Sequence, residues 1–402
     1  MESIEQMIKR LCPKGVEWKK ISEIGTVMRG TSFQKKHFTD EGTPCIHYGQ
    51  IYTQYAHHVY ETFSFVGEEI SRSPRRAKTG ALIMATTSEN IEDVGKCIVW
   101  LGEKDIIVSN DACFIQHSLN PKYLGYLLQT DYFNAYKKKV ATGTKVIRIN
   151  ADAVADFVIP VPPLEIQSRI VEVLDKMATL TAELKAELEA RKQQYEYYRN
   201  KLLSFNEIGE ANRQVTWKKI SEIGQICMCK RIMKDQTHKQ GEIPFYKIGT
   251  FGGTADAYIS RELFEDYRAR FKFPKKGDLL ISAAGTIGKT VVFDGKDSYF
   301  QDSNIVWVDN DETIVTNRYL YHIYKIINWK TDGGTIRRLY NDNLRNTIIP
   351  VPSMQEQQRI VSILDRFEAL TTDLQSGLPA EIEARRQQYE YYQNKLLTFE
   401  AV

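Results

Sequence analysis

The sequence predicts an α+β protein: two mixed α/β globular domains separated by two long antiparallel coiled-coil-like helices, with an internal pseudo-two-fold repeat. Three pairs of matching blocks predict it: 16–25 with 215–224, 159–162 with 349–352, and 193–198 with 387–392. Between these blocks the two halves hardly agree. The repeated segments should therefore do one job twice, and the diverged segments should recognise two different things.

Bulk composition places the chain among ordinary globular proteins. Its 402 residues suffice for two or three domains with cores of their own. A net charge of +3 permits nucleic-acid binding through local patches without requiring it. The six scattered cysteines indicate reduced thiols, and neither a signal peptide nor an apolar run of the ~20 residues needed for a membrane span is evident. We expect a soluble, cytoplasmic protein that binds no membrane.

The first predicted domain covers residues 1–158. A short helix within 2–11 should end at the Pro/Gly breaker 12–15. Short β-type runs follow, and a helix is predicted from Lys122 to about Lys139. Residues 109–111 and 302–304 open matching strands and are predicted to be turn and cap residues.

The first spacer helix is predicted within residues 159–205, beginning near Leu164. Its apolar side chains recur at steps of mostly three and four, which is the coiled-coil pattern. About forty residues at a rise of 1.5 Å would extend for ~60 Å. The polar segment 206–214, which contains Gly209, is predicted to be a linker.

The second domain is predicted at 215–348, and the second spacer helix at 349–402 with Leu374 among its apolar positions. This helix has four extra residues, because 370 − 180 = 190 at the leucines but 389 − 195 = 194 at the tyrosines. Gly377 and Pro379 lie in the insertion, so we expect a break with Pro379 in the first turn of a new helix. Short connections between long amphipathic helices favour antiparallel pairing.

Three clusters of cations recur at matching places in both halves, which favours nucleic-acid binding because the planar fork of arginine suits phosphate and guanine. Any one cluster alone is equally consistent with solvated surface. The candidate DNA-binding residues are Lys35, Lys36, Arg72, Arg75, Arg76, Lys78, Lys145 and Arg148 in the first half, and Lys230, Arg231, Lys234, Arg268, Arg270, Lys272, Lys275, Lys276, Arg337 and Arg338 in the second.

The repeated tyrosines of the two long helices divide into two kinds. Tyr195 and Tyr198 continue the apolar seam of the first helix and are predicted to pack. Tyr197 and Tyr391 lie off the seam and are the predicted partner-binding residues.

Catalytic signatures are absent from the sequence. The run 285–290 resembles a phosphate-binding loop but lacks its spacing, and a structural turn is the better interpretation. The run 120–123 lacks the second proline of the amino-methyltransferase signature, so a turn capping a helix explains it. We predict no catalytic residue, no metal site and no cofactor in this chain.

Taken together, these features resemble the DNA-specificity subunit of type I restriction–modification systems. The resemblance is carried by the repeated Trp-Lys-Lys-Ile-Ser-Glu-Ile-Gly openings, by 277–282 with 285–289, and by Ile-Pro-x-Pro followed by Gln-x-Arg-Ile. The long helices ending in Tyr-Tyr-x-Asn-Lys-Leu-Leu complete it. It covers essentially the whole chain. The first half departs from the pattern at 79–84, where Thr-Gly-Ala-Leu-Ile-Met replaces the Gly-Asp-Leu strand.

The resemblance implies two target-recognition domains that each read one half of a bipartite, gapped double-stranded DNA site. The helices would set the gap and dock two methyltransferase subunits, which carry S-adenosylmethionine and methylate adenine. A motor-nuclease restriction subunit using ATP and Mg would allow cleavage. This chain would itself be non-catalytic.

Two alternatives stay open from the residues alone. One is a stand-alone DNA methyltransferase or nuclease, which predicts cofactor binding by the isolated chain. The other is a two-headed binding scaffold unrelated to DNA, which predicts no salt-dependent DNA affinity, whereas phosphate contacts make DNA binding fall steeply with salt.

Overall fold

The computed structural model describes residues 2–72, 75–205, 215–332 and 337–399. It separates into a first unit, Met1–Lys185 with Glu381–Val402, and a second unit, Ala186–Ala380. The predicted linker 206–214 lies outside the described residues. Each unit is built around one of the two predicted globular domains.

The first globular domain contains seven short helices and thirteen strands among its described residues and leads into one long helix. The helices are α1 Ile4–Leu11, α2 Ile21–Ile24, α3 Tyr48–Thr53, α4 Glu68–Ser71, α5 Pro121–Leu127, α6 Asp131–Val140 and α7 Ala151–Asp156, followed by the long α8 Leu164–Ser204. The strands are β1 Trp18–Lys20, β2 Gly25–Arg29, β3 Phe38–Thr39, β4 Thr43–Ile46, β5 His58–Val59, β6 Ser64–Val66, β7 Leu82–Ala85, β8 Thr87–Ser88, β9 Cys97–Trp100, β10 Ile107–Val108, β11 Ala112–His117, β12 Ile147–Arg148 and β13 Val158–Pro160.

The second half of the chain repeats this order with fewer elements among its described residues. Its strands are β14 Val215–Lys219, β15 Gly224–Met228, β16 Ile243–Tyr246, β17 Ala257–Ile259, β18 Leu279–Ser282, β19 Thr290–Val292, β20 Tyr299–Phe300, β21 Ile305–Asn310 and β22 Ile348–Pro352. Its helices are α9 Arg261–Arg270, α10 Asn317–Tyr324, α11 Asn341–Asn346, α12 Met354–Thr372 and α13 Leu378–Leu397. Short 3-10 turns lie at Lys35–His37, Ile220–Glu222 and Lys234–Gln236.

Sheet topology confirms the internal repeat where the sequences have diverged. The strand order β2-β11-β7-β9 in the first unit matches β15-β21-β18-β19 in the second. A smaller mixed sheet with the order β6-β4-β10 matches β17-β16-β20. The repeated opening and closing segments pair with each other as β1 with β13 and β14 with β22, both antiparallel. The predicted fold class is therefore confirmed, including the repeat.

A buried glutamine joins each globular domain to the long helix that follows it. Gln167 donates to Pro162 O at 2.7 Å and accepts from the Asn120 amide at 2.8 Å. Gln357 repeats this with Pro352 O at 3.0 Å and the Thr316 amide at 3.0 Å. Because buried polar groups must be hydrogen-bonded, these bonds fix the start of each helix against its domain.

The long helices pack as antiparallel segments inside each unit. The first unit contains the beginning of α8 and most of α13, and the second contains the end of α8 and all of α12. In the second unit, the Tyr198 ring stacks on Phe367 of α12 with centroids 5.7 Å apart. In the first, Met177 of α8 and Tyr392 of α13 line one groove.

The predicted break in the second long helix is confirmed. Helix α12 ends at Thr372, α13 begins at Leu378, and Pro379 lies in its first turn, where a missing N–H costs no helical hydrogen bond. Gly377 is packed so closely that an added Cβ would lie 2.6 Å from Ala369 O. The assignment of Leu374 to the apolar seam is wrong, because this residue lies in the break and is 79% exposed.

The helix predicted from Lys122 to about Lys139 is two helices, α5 and α6. Thr130 separates them: its side chain accepts from the Phe133 amide and caps α6, while it donates to Leu127 O at 2.7 Å. A threonine that satisfies the amides of a new helix start favours a boundary over continuation. The periodic pattern alone did not reveal this cap.

Candidate nucleic-acid interface

In the second unit, one group of predicted DNA-binding cations follows α9. Arg268 and Arg270 occupy the last turn of α9, and Lys272, Lys275 and Lys276 lie between α9 and β18. Four of these five cations, all except Arg270, line an open cavity of about 530 Å³. The other residues that line it are Phe271, Phe273, Pro274, Phe293 and Gly295. We call these five cations the α9 group.

Four cations of the α9 group are held by carboxylates. Arg268 contacts Asp297 at 3.4 Å and Arg270 contacts Asp266 at 2.9 Å. Lys272 and Lys275 share Asp309, at 3.3 and 3.4 Å.

The two lysine contacts lower the pKa of the carboxyl that they share, Asp309. Desolvation acts to raise the pKa of Asp309, but the bonds and charges of Lys272 and Lys275 outweigh it and lower that pKa. All four ion pairs are solvent-exposed, so each is weak and can exchange for a phosphate at little cost.

A second group of cations in this unit surrounds the turn that opens β21. Arg231 Nε donates to Asp302 Oδ2 at 2.8 Å, and Arg338 Nη2 donates to both O and Oγ of Ser303, at 2.9 and 3.0 Å. Ser303 has a φ of +50°, a left-handed conformation that non-glycine residues rarely adopt. Two arginines thus brace a strained turn. Lys234 and Arg337 are exposed nearby in sequence.

Lys230 connects the two groups of the second unit. Its Nζ lies 5.1 Å from the centroid of the Phe271 ring, just beyond the end of α9. It precedes Arg231, whose guanidinium reaches the β21 turn. Lys230 and Arg231, which follow the edge strand β15, therefore reach the cavity of the α9 group and the β21 turn, respectively.

The first unit places its cations in matching segments. Arg72, Arg75, Arg76 and Lys78 lie between α4 and β7, as the α9 group lies between α9 and β18. Arg76 Nη2 donates to Ser71 O at 2.5 Å. Lys35 and Lys36 are exposed on a 3-10 turn, and Lys145 is exposed.

Arg148 and Arg338 occupy equivalent positions, as predicted. Arg148 forms a reciprocal backbone pair with Thr142, at 2.9 Å in both directions. Arg338 forms the same pair with Asp332, at 3.0 and 3.1 Å. Both pairs lie next to the central sheet, and residues 333–336 lie outside the described residues.

Sequence reasoning missed Arg29. It ends β2, and its Nε donates to Asn110 O at 2.9 Å, in the turn that opens β11. This turn corresponds to the Asp302–Ser303 turn, because β11 and β21 hold the same place in their sheets. Arg29 has no cationic neighbour in the sequence, so no cluster marked it.

The predicted partner-binding tyrosines have nearly the same surroundings in the two units. Tyr197 is 59% exposed and Tyr391 is 60% exposed. Each lies 5.3 Å from the ring of the next tyrosine, with interplanar angles of 75° and 77°. Each also faces a lysine one turn later, Lys201 or Lys395, at 5.9 Å. One surface therefore occurs twice.

The neighbouring tyrosines serve packing, in line with the prediction for the seam. Tyr195 is buried, 6.5 Å from the Phe367 centroid. Tyr198 stacks on Phe367 but keeps one face exposed. Tyr198 therefore contributes to both the seam and the exposed surface beside Tyr197.

The glycine-rich run 285–290 forms a structural turn. Ser282 Oγ accepts from the Lys289 amide at 2.9 Å, and Lys289 Nζ donates to Phe251 O at 2.5 Å. Gly288 has a φ of +81°, and a Cβ there would lie 2.4 Å from the Trp329 ring. The lysine is thus used within the fold instead of pointing toward a phosphate.

One group of potential metal ligands occurs in the described residues: His322, Asp365 and Glu368. Cationic side chains already approach the two carboxylates. Arg318 contacts Asp365 at 2.8 Å and Glu368 at 3.0 Å, and Lys325 contacts Glu368 at 2.5 Å. This arrangement is an ion network between α10 and α12, since the charges that a metal would neutralise are already paired.

Comparison with known proteins identifies the class to which this fold and these surfaces belong. The profile of the type I restriction modification DNA specificity domain matches residues 13–190 and 212–384. The chain belongs to this family, with one copy of the domain in each half. It is therefore a specificity subunit of the type I restriction–modification class.

Individual relatives agree with that assignment. The chain is 49% identical over 293 residues to a putative type I restriction enzyme specificity subunit of Haemophilus influenzae, covering 71% of this chain and 74% of the relative. It is 35% identical over 255 residues to the EcoR124I/EcoR124II specificity subunit of Escherichia coli, covering 60% and 61%.

Solved structures share the fold. A chain from a study of complex assembly and conformational transition of the type I R-M system aligns with a TM-score of 0.67 at 19% identity, covering 96% of this chain and 98% of that one. The S subunit of M. genitalium aligns with a TM-score of 0.53 at 14% identity, covering 96% and 97%. In the part of the chain that the structure describes, no helix is long and apolar enough to cross a membrane.

Proposed function

We propose that this chain is the DNA-reading and scaffold subunit of a type I complex. Each globular domain reads one half of a bipartite, gapped site in double-stranded DNA, and the long helices set the gap and dock two copies of an adenine-methyltransferase subunit. The chain itself catalyses no reaction.

The observation that carries this proposal is the contrast between the two kinds of surface. The Tyr197 and Tyr391 surfaces are alike in exposure, ring geometry and lysine distance. The cationic surfaces share a topology but differ in side chains: the β11 turn is held by Arg29, and the β21 turn by Arg231 and Arg338. A repeated surface fits two copies of one partner, whereas two unlike surfaces fit two different DNA sequences.

The cofactors of the reaction belong to the partners in this proposal. S-adenosylmethionine is bound by the methyltransferase subunits, and ATP with Mg by a restriction subunit that joins the complex for cleavage. This chain contributes cationic side chains for phosphate and base contacts, and a helix face for protein contacts.

The test is a map of modified bases in the source genome with and without the gene. A bipartite, gapped motif carrying methylated adenine should disappear when the gene is removed. If the motif persists, another subunit supplies the specificity. If no such motif occurs although the methyltransferase partner is expressed, the DNA-reading proposal is wrong.

Two binding measurements separate the alternatives. A stand-alone methyltransferase would bind S-adenosylmethionine as an isolated chain, which we expect not to occur. A scaffold unrelated to DNA would show no salt-dependent affinity for duplex DNA, whereas phosphate contacts predict a steep linear fall of log K with log salt.

A further inference from the structure

One arginine in each unit is bonded through Nε to the turn that opens the central strand next to the edge strand of the larger sheet. Arg29 ends β2 and Arg231 follows β15 by three residues, and β2 and β15 are the matching edge strands of the larger sheets. Each is bonded through Nε to the turn that opens the neighbouring central strand, β11 or β21. The two positions do not correspond in register, because Arg29 pairs with Cys113, the second residue of β11, whereas Met228 pairs with Val306, the second residue of β21. Each unit therefore brings an arginine to this turn from a different position.

In the first unit, a close approach of two strands positions the arginine. Arg29 pairs with Cys113 in the β2–β11 register. The next residue is Gly30, where a Cβ would lie 2.2 Å from Ser109 O, so only glycine lets the chain pass there. Arg29 itself is exposed, and its Nε bond to Asn110 O at 2.9 Å fixes the plane of the guanidinium.

In the second unit, a carboxylate positions the arginine. Asp302 Oδ2 accepts from Arg231 Nε at 2.8 Å, and the Arg231 side chain remains 66% exposed. The left-handed Ser303 that follows is held by two bonds from Arg338 Nη2. A strained residue kept in place by its surroundings is typical of functional sites.

Bonding through Nε leaves the far edge of each guanidinium open. The Nη1 and Nη2 atoms of Arg29 and Arg231 have no hydrogen-bonding partner among the described residues. This edge carries two parallel N–H donors, which match the O6 and N7 acceptors of guanine in the major groove. Because the side chain is already oriented, little conformational entropy is lost on binding.

The cations outside these turns suit the phosphate backbone better. The α9 group contains three lysines, which act as mobile point charges, and its four exposed ion pairs are weak enough to exchange. Phosphate contacts position a protein on the duplex, whereas contacts to base edges determine sequence. We therefore expect the α9 group to contact phosphates and the arginines at the two turns to contact bases.

We propose that Arg29 and Arg231 each read one guanine of the half-site bound by their unit, through the paired Nη1 and Nη2 donors. Asn110 and Asp302 are the positioning residues that orient them. The proposal rests on the proposed function, and it adds which side chains discriminate bases and which base they select.

The test uses the complete complex with its methyltransferase partner and maps modified adenines in a genome. Arg29→Lys and Arg231→Lys keep the charge and remove the fork. Each variant should make one guanine position degenerate, in one half-site for Arg29→Lys and in the other for Arg231→Lys, with discrimination at that position falling about tenfold or more. Arg270→Lys is the matched control, since Arg270 is also ion-paired and 63% exposed but lies away from the turn.

The outcomes separate this inference from the proposed function. If the wild-type complex gives no gapped motif, the proposed function fails. If the wild-type complex gives a gapped motif and both arginine variants leave every position unchanged, the arginines read no base and the inference is wrong. If the variants weaken binding equally for all sequences, the arginines contact phosphate, which also overturns the inference. If a variant assembles but modifies nothing, its specificity can be measured by binding instead. The variant complex then selects duplexes from a pool in which one half-site is randomised. An unaltered motif in the bound duplexes overturns the inference.

Discussion

At the residue scale, the cations predicted to bind DNA differ in how strongly contacts within the protein hold each side chain. Arg268 packs over the rings of Phe264 and Phe273, with its Cζ 5.7 and 5.4 Å from their centroids. Lys275 and Lys276 are exposed, and Lys275 makes only a weak contact with Asp309. Replacing Arg268 therefore disturbs aromatic packing as well as charge, whereas the lysines report on charge alone.

Replacing Lys275 and Lys276 with alanine should weaken DNA binding equally for all sequences. If both contact phosphates, the slope of log K against log salt should become shallower by about two, one for each lost contact. Binding of the assembled complex to target and unrelated duplexes over a range of salt measures this. Assembly with the methyltransferase partner should be intact, and an unchanged slope would show that these lysines do not touch DNA.

Tyr197 and Tyr391 provide the corresponding test for the helix surface. Replacing both with alanine should lower partner affinity about tenfold or more, since exposed aromatic side chains dominate many interfaces. The free energy of unfolding should change by less than ~0.5 kcal/mol, because both rings are exposed. Titration calorimetry with the partner and urea denaturation separate the two effects.

Tyr195→Ala is the matched control for this surface. Its ring is buried against Phe367, so its removal should cost about 3 kcal/mol of stability. If the Tyr197 and Tyr391 variants lose stability as Tyr195→Ala does, the exposed rings act in the fold instead of in partner binding.

At the element scale, the features that could be predicted were those determined by local periodicity. The break at Gly377 and Pro379 followed from a register difference and the chemistry of two residues, and the structure confirms it. The division between α5 and α6 was missed, because it depends on the Thr130 cap within a continuous periodic pattern. Arg29 was missed because its role depends on the pairing of β2 with β11, which brings Asn110 next to it from far along the chain.

The ion network between α10 and α12 should make the second unit sensitive to acid. Burial lowers the pKa of His322. Burial acts to raise the pKa of Glu368, but its bonds to Lys325 and Tyr321 outweigh that effect and lower it. A group whose folded pKa is lowered contributes stability above its unfolded pKa and loses it as pH falls toward the folded value. Stability should therefore decline below the ordinary histidine pKa of 6.5, and decline further below 4.5 as Glu368 is protonated.

Urea denaturation at pH 7.5 and pH 5.5 measures this decline. The titration of His322 alone can change the free energy of unfolding by at most about 1.4 kcal/mol per pH unit, the value for one proton. His322→Gln should reduce the difference in stability between the two pH values, whatever its own cost. His238→Gln, at an exposed histidine of the same unit, should leave the difference unchanged. An equal pH dependence in wild type and His322→Gln would show that this histidine does not titrate between the two states.

At the scale of the whole molecule, the repeat is visible in sequence only in the blocks that form β1, β13, β14, β22 and the long helices. The matching orders β2-β11-β7-β9 and β15-β21-β18-β19 depend on pairing between distant strands, and their sequences have diverged. Among the repeated segments, the long helices carry Tyr197 and Tyr391, the proposed partner-binding residues. The topology repeats although the side chains differ, which fits our proposal that one scaffold presents different arginines to two half-sites.

The four extra residues of the second long helix give the last prediction. Deleting Gly377 to Ala380 removes about one helical turn, or ~5.4 Å of rise, from one of the two helical connections. Base pairs rise ~3.4 Å, so the preferred gap between the half-sites should change by about one base pair while both half-site sequences stay the same. A modification map made with the variant complex reads the gap directly. Gln375→Ala is the matched control, because it lies in the same break and keeps the chain length. A deletion variant with an unchanged gap would show that residues 373–377 loop out without setting the distance, and that the uninterrupted α8 alone determines the spacing.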